Sequence, residues 1–197
     1  MTSRQQPPPR GVPGGEALAA LAVPARFAIL SHLLDVGPRT ASECAEVVGE
    51  SPSNCSWHLR ALARVGLVER ADPDSTDGRR RPWRATAVGF DFSAAGDPAG
   101  AVAAAALEGV ADRHAEELLR RYLEQRRHLP AEWTDREGSH RYTLAVTPAE
   151  LDELLASLDA LIRPFVGRIR TDVPADAALV HLGLRAFLHP DAARPGR

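Results

Sequence analysis

A chain of 197 residues with 44% apolar and 25% charged composition can bury a core without disulfide or metal staples, which excludes a mostly disordered protein. Two cysteines exclude a secreted disulfide scaffold, and no run approaches the 18 apolar residues of a membrane span. The net charge of −2 hides a gradient, because between Ser51 and Arg84 seven arginines face only Glu69, Asp72, Asp74 and Asp77, so this stretch is net +3 and the rest is acidic. All 24 basic residues are arginine, which we read mainly as the codon bias of a G+C-rich coding sequence.

Residues 1–15 are Pro- and Gly-rich with no apolar stretch, and are expected to form a disordered tail rather than a secretory signal; a cytoplasmic location follows. Glu16 to Ala22 reads as a short helix. Pro24 suits the first turn of the next helix, whose apolar face carries Phe27, Ile29, Leu30, Leu33 and Leu34 and which stops at Gly37-Pro38. Thr40 with Glu43 three residues on is a capping box, opening a short helix with Ala41, Cys44, Ala45 and Val48 inward and Gly49 at its end. Ser51 caps a further helix over 52–65, with Pro52 at its first position and Cys55, Leu59 and Leu62 as a narrow apolar stripe, before Gly66 closes it. Two short capped helices joined by a tight turn are the mark of a helix-turn-helix.

Leu67 to Arg70 reads as a strand, 72–78 as dense turn chemistry, and Arg79 to Thr86 as a returning strand that Pro82 confines to an edge. The pair is a hairpin with a basic return arm, a wing over 70–84. After a linker at 93–100, an Ala-rich helix is expected from Ala101 to about Leu129. Arg141 to Val146 alternates like a strand, Thr147-Pro148-Ala149-Glu150 opens a helix with Leu151, Leu154, Leu155, Leu158, Leu161 and Ile162 toward a core, and Ala178 to Leu188 reads as a second strand. The predicted fold class is mainly α with small β (α+β): a tail (1–15), a winged helix-turn-helix domain (16–92), and a C-terminal half (93–197) made of a long helix and a strand–helix–strand module.

The run from Leu21 to Arg84 resembles the ArsR-type winged helix-turn-helix regulators. Leu21-Ala22-Val23-Pro24-Ala25-Arg26 leading into Ile29-Leu30 is similar to that family's first helix. Ser56-Trp57-His58-Leu59-Arg60-Ala61-Leu62 with Val65-Gly66-Leu67-Val68 resembles its recognition helix, and Arg79 to Arg84 its wing. The C-terminal half loosely resembles the extra domain of some actinobacterial members. The resemblance implies a homodimer that binds specific double-stranded DNA and controls transcription, usually as a repressor relieved by a signal.

If Cys55, Leu59 and Leu62 face inward, Ser53, Asn54, Trp57, Arg60 and Arg64 lie on the opposite face, with Ser56 and His58 at its flanks. Asn pairs with adenine and Arg with guanine through two hydrogen bonds each, while Ser53, Ser56 and His58 suit phosphate oxygens. Arg79, Arg80 and Arg81 suit the backbone or a narrow minor groove, against the plainer reading of a solvated loop end. Trp57 is read either as stacking on a sugar–phosphate edge or as packing on the wing.

Cys44 and Cys55 are read first as two buried thiols and only secondarily as a thiol sensor. Asp112-x-His114 matches the start of a metal site in ArsR relatives, but Gln125 and His128 stand where His and Glu are needed, so surface polar residues are the preferred reading and no metal or cofactor is implied. No nucleophile elbow, Gly-rich phosphate loop or His-Glu-x-x-His is present, so no enzyme is expected. The partners expected are double-stranded DNA, a second copy through the Ala101–Leu129 helix, and a candidate small-molecule effector at the C-terminal half. The competing reading is a winged-helix scaffold for protein partners without DNA.

Overall fold

Local signals start most of the helices where the chain pattern places them. In the computed structural model, which describes residues 11, 13–71, 81–90, 98–167 and 169–191, α1 spans Gly15–Leu21 and α2 spans Pro24–Val36 with Pro24 at its first position. The Thr40 Oγ1 accepts from the Glu43 amide at 3.3 Å, and the Glu43 carboxylate accepts from the Thr40 amide at 2.7 Å, so a complete capping box opens α3 (Ala41–Val48). Gly49 then takes a left-handed φ of 67°, which turns the chain at no steric cost into Ser51, whose hydroxyl accepts from the Asn54 amide and caps α4 (Pro52–Arg64).

These helices converge on one core. Leu18 and Leu21 of α1, Ile29, Leu30 and Leu33 of α2, Cys44 of α3 and Leu59 and Leu62 of α4 are essentially inaccessible to solvent. Burying each aliphatic side chain contributes about 1.5–3 kcal/mol relative to exposure, which is what holds α3 and α4 at a fixed mutual angle. The wing is a two-stranded antiparallel hairpin, β1 (Val68–Arg70) against β2 (Trp83–Ala85), with Val68 opposite Ala85, Glu69 opposite Arg84 and Arg70 opposite Trp83. Its strands are shorter than the sequence suggests, and 72–80 lie outside the described residues. Trp83 and Ala85 are buried, and Arg39 and Trp83 exchange both backbone hydrogen bonds, at 3.0 and 2.7 Å, which pins the wing to the loop before α3.

Helix α5 spans Pro98–Gln125, followed by a 3-10 turn at Arg126–His128. It begins three residues before the expected Ala101, so the end of the expected linker is helical, and Leu107 and Val110 bury its first half beside α1. Gly11, inside the expected tail, donates its amide to the Gly89 carbonyl at 2.9 Å. Beyond α5 come a short α6 (Ala131–Thr134) and α7 (Pro148–Ile162), the latter opened by a second capping box between Thr147 and Glu150.

The C-terminal half departs from the expected strand–helix–strand unit. Its helix forms, but 141–146 and 178–188 make no ladder, and the wing is the sheet among the described residues. No residue of α7 is buried, and Leu155 and Leu161 are exposed. The physical reason is that, among the described residues, these apolar faces have no second layer to pack against. No single described helix is long and apolar enough to cross a membrane; α1 and α2 together are apolar enough, but they meet at 99° and bury their apolar residues in the core.

Candidate nucleic-acid interface

Helix α4 divides cleanly into two faces. Cys55, Leu59 and Leu62 are fully buried, and Ser53, Asn54, Trp57, Arg60 and Arg64 are exposed on the other side, with Ser56 half-buried between them. The cap at Ser51 leaves the first turn of α4 at the surface, so Ser53 and Asn54 stand at the end of the helix whose amides and dipole favour negative charge.

His58 is the departure. It is buried to 8% exposure, and its Nε2 lies 3.2 Å from a carboxylate oxygen of Glu50, the residue before the Ser51 cap. Its side chain is therefore turned inward, away from the exposed flank expected for it. The sequence stripe of apolar residues hid this, because His58 sits one position from Leu59 and is drawn under the helix by a carboxylate from the preceding turn. The other ring nitrogen, Nδ1, has no hydrogen-bond partner among the described residues.

Trp57 also takes a different neighbour from the wing. Its ring lies edge-on to His58, with centroids 5.0 Å apart, and the Arg26 guanidinium of α2 sits 5.0 Å from the ring centroid. At 55% exposure the indole still presents most of one side to solvent. Arg26 was not singled out by sequence reasoning, since it stands 31 positions away on another helix; only the α2–α4 crossing brings it here.

The wing continues the basic surface. Arg70 stacks its guanidinium on the Trp83 ring, 3.9 Å from the centroid, and donates to the Arg81 carbonyl. Partial desolvation lowers the Arg70 pKa, and the positive charges of Arg81 on the wing and Arg60 on α4 lower it further. Arg60 of α4 and Arg81 therefore both lie within electrostatic reach of Arg70. Arg81 is exposed, whereas Arg84 is matched by Glu69 across the strands at 2.9 Å. Arg79 and Arg80, expected to grip the backbone, lie outside the described residues.

The residues weighed for other chemistry have structural neighbours. Cys44 and Cys55 are both free and buried; the neighbouring Cys55 thiol first, and then burial, pushes the Cys44 thiol well up, while the Cys44 thiol draws Cys55 down. Asp112 pairs with Arg185 at the surface, as a surface polar residue of α5, whereas His114 is half-buried and stands edge-on to Phe27 of α2 with centroids 5.4 Å apart. Among the described residues no group of three or more His, Cys, Asp or Glu is placed to hold a metal ion.

Residues 21–71 match the helix-turn-helix domain family, which covers α2, α3, α4 and β1 as described. Two solved structures are similar along most of their length. The transcriptional regulator Tm0710 from Thermotoga maritima is 17% identical, with 73% of this chain and 77% of that chain covered and a TM-score of 0.29. RV1404 from Mycobacterium tuberculosis is 19% identical, with 75% and 81% covered and a TM-score of 0.30. No curated protein sequence matches the chain.

Proposed function

We propose that this chain is a transcriptional regulator that binds specific double-stranded DNA as a homodimer and represses by occupying its operator. The observation that carries the reading is that Asn54, Arg60 and Arg64 are exposed on the outer face of α4 and Arg70 and Arg81 on the wing, with Arg60 and Arg81 both within electrostatic reach of Arg70, in a segment that matches a helix-turn-helix family. In this reading α4 enters the major groove, where Asn54 and Arg60 meet base edges, and Ser53, Ser56 and Arg64 meet phosphates. The wing, through Arg81 and the expected Arg79 and Arg80, lies on the backbone or in the minor groove. A two-fold pair spaces its recognition helices about 34 Å apart along one face of the duplex, so the operator is expected to be an inverted repeat.

Footprinting on the DNA upstream of its own reading frame, followed by fluorescence anisotropy on the protected site, tests this. Arg60→Ala should cost about 1–3 kcal/mol at particular base pairs and little on random duplex. Equal loss on specific and random DNA removes Arg60 as a base reader. Absence of duplex binding even at low salt overturns the function and leaves the domain as a scaffold for protein partners.

A further inference from the structure

We infer that Trp57 is a base-reading residue, whose indole, held in place by Arg26 of α2, meets the 5-methyl group of thymine on the floor of the major groove. The inference rests on the proposed DNA-binding function and adds an apolar reader to the polar ones named there.

Helical period places Trp57 in the middle of the outer face of α4. Ser53, Trp57, Arg60 and Arg64 recur at spacings of four, three and four, so they form one stripe along the helix, opposite Cys55, Leu59 and Leu62. Trp57 stands in the second turn after the Ser51 cap, within the N-terminal part of a recognition helix that reaches base edges. It is the one large apolar side chain that α4 leaves exposed, at 55%. A tryptophan placed only for packing is buried, as Trp83 is at 6%.

Two contacts fix the ring. The Arg26 guanidinium lies over it, 5.0 Å from the centroid, and its Nη1 donates to the Ala20 carbonyl of α1 at 3.3 Å. His58, itself anchored to Glu50 at 3.2 Å, stands edge-on to the indole at 68° with centroids 5.0 Å apart. A cation over an aromatic ring attracts it, and a ring already immobilised loses little freedom when a ligand docks on it. Arg26 is thus a positioning residue, and Trp57 is the residue that touches the base.

The chemistry of the groove names what such a side chain recognises. Every base pair offers donors and acceptors on the major-groove floor, and thymine alone adds an apolar group, its 5-methyl. Asn54, Arg60 and Arg64 beside Trp57 already supply the polar and cationic partners for adenine, guanine and phosphate. Stacking on a sugar–phosphate edge suits a side chain at the rim of the helix face, and position 57 is at its middle. A thymine is therefore expected opposite the second turn of α4 in each half-site.

Equilibrium binding of the full chain to its footprinted operator, with each thymine in the α4 footprint replaced in turn by uracil, tests this. The replacement removes the 5-methyl and keeps every hydrogen-bonding group. The parent should lose about fourfold in affinity at the thymine that faces Trp57, the worth of one buried methyl group. Trp57→Ala should bind the thymine and uracil operators equally. Arg26→Gln should reduce the ratio to about twofold, and Arg26→Lys, which keeps a cation, should recover part of it. Each ratio is taken within one preparation, so a partly unfolded variant lowers both affinities and leaves the ratio unchanged. A parent indifferent to uracil at every position, a footprint with no thymine under α4, or a Trp57→Ala variant that keeps the parent's ratio overturns the inference and leaves the DNA-binding reading standing. An Arg26→Gln variant with the parent's ratio overturns the positioning role of Arg26. A chain that binds no duplex overturns both the inference and the reading beneath it.

Discussion

His58 Nε2 lies 3.2 Å from a Glu50 carboxylate oxygen, so the last residue before the cap of α4 reaches under the helix and holds its second turn. A buried polar group with a charged partner stabilises through that bond and leaves a penalty when one side is removed. His58→Ala should therefore cost about 1–3 kcal/mol in chemical denaturation. Its effect on the salt dependence of duplex binding should be negligible, since the ring does not face the exposed side of α4. A variant of unchanged stability that loses one unit of salt slope would place His58 on phosphate instead.

Arg81, just before β2, and Arg84, within it, make a contrast on one arm of the wing. Arg81 is exposed, while Arg84 is neutralised by Glu69 at 2.9 Å. Each arginine that meets a phosphate contributes close to one to the slope of log affinity against log salt. Arg81→Gln should lower that slope by about one, and Arg84→Gln by much less. Titrations of both variants between low and moderate salt read the difference directly.

Gly15 marks a close approach of α1 to α5. A β-carbon placed there would sit 3.3 Å from the Gly100 Cα, a backbone atom that cannot swing away. Gly15→Val should destabilise the domain by about 1–3 kcal/mol through overpacking, seen as a lower midpoint in thermal unfolding. An unchanged midpoint would mean that α1 is free to slide along α5.

Acid should weaken this fold through its histidines. Burial, the largest cause for both, holds His32 and His114 below their ordinary value near 6.5. Around His114, Asp35 and Glu117 pull upward against burial, His181 and Arg121. The unfolded chain takes up protons near pH 6.5 that the folded chain refuses, so this stability is complete above that pH and falls as pH drops toward the folded values. Denaturation midpoints between pH 7.5 and 5.5 should fall less steeply for His114→Gln than for the parent. Parallel slopes would show that His114 is as solvated when folded as when unfolded.

Much of the helix-turn-helix domain was legible because its signals are local. Thr40 with Glu43, Ser51 with Pro52, and Gly49 each act within four residues, and each sits where α3 and α4 begin or turn. The exposed arginines of α4 were equally readable, because the Cys55–Leu59–Leu62 stripe assigns the opposite face by helical period alone. Trp57 shows where such reasoning stops: its place on the surface follows from the period, but its arginine neighbour comes from α2.

Helix starts, the two faces of α4 and the presence of a basic hairpin were determined by the order of residues, since capping, turn chemistry and periodicity act over a few bonds. The inward turn of His58, the Arg39–Trp83 clamp on the wing and the missing ladder at 141–146 and 178–188 were decided only by the tertiary structure. A strand pattern states that one face wants burial and one edge wants partners; which chain provides them depends on what the fold brings within reach.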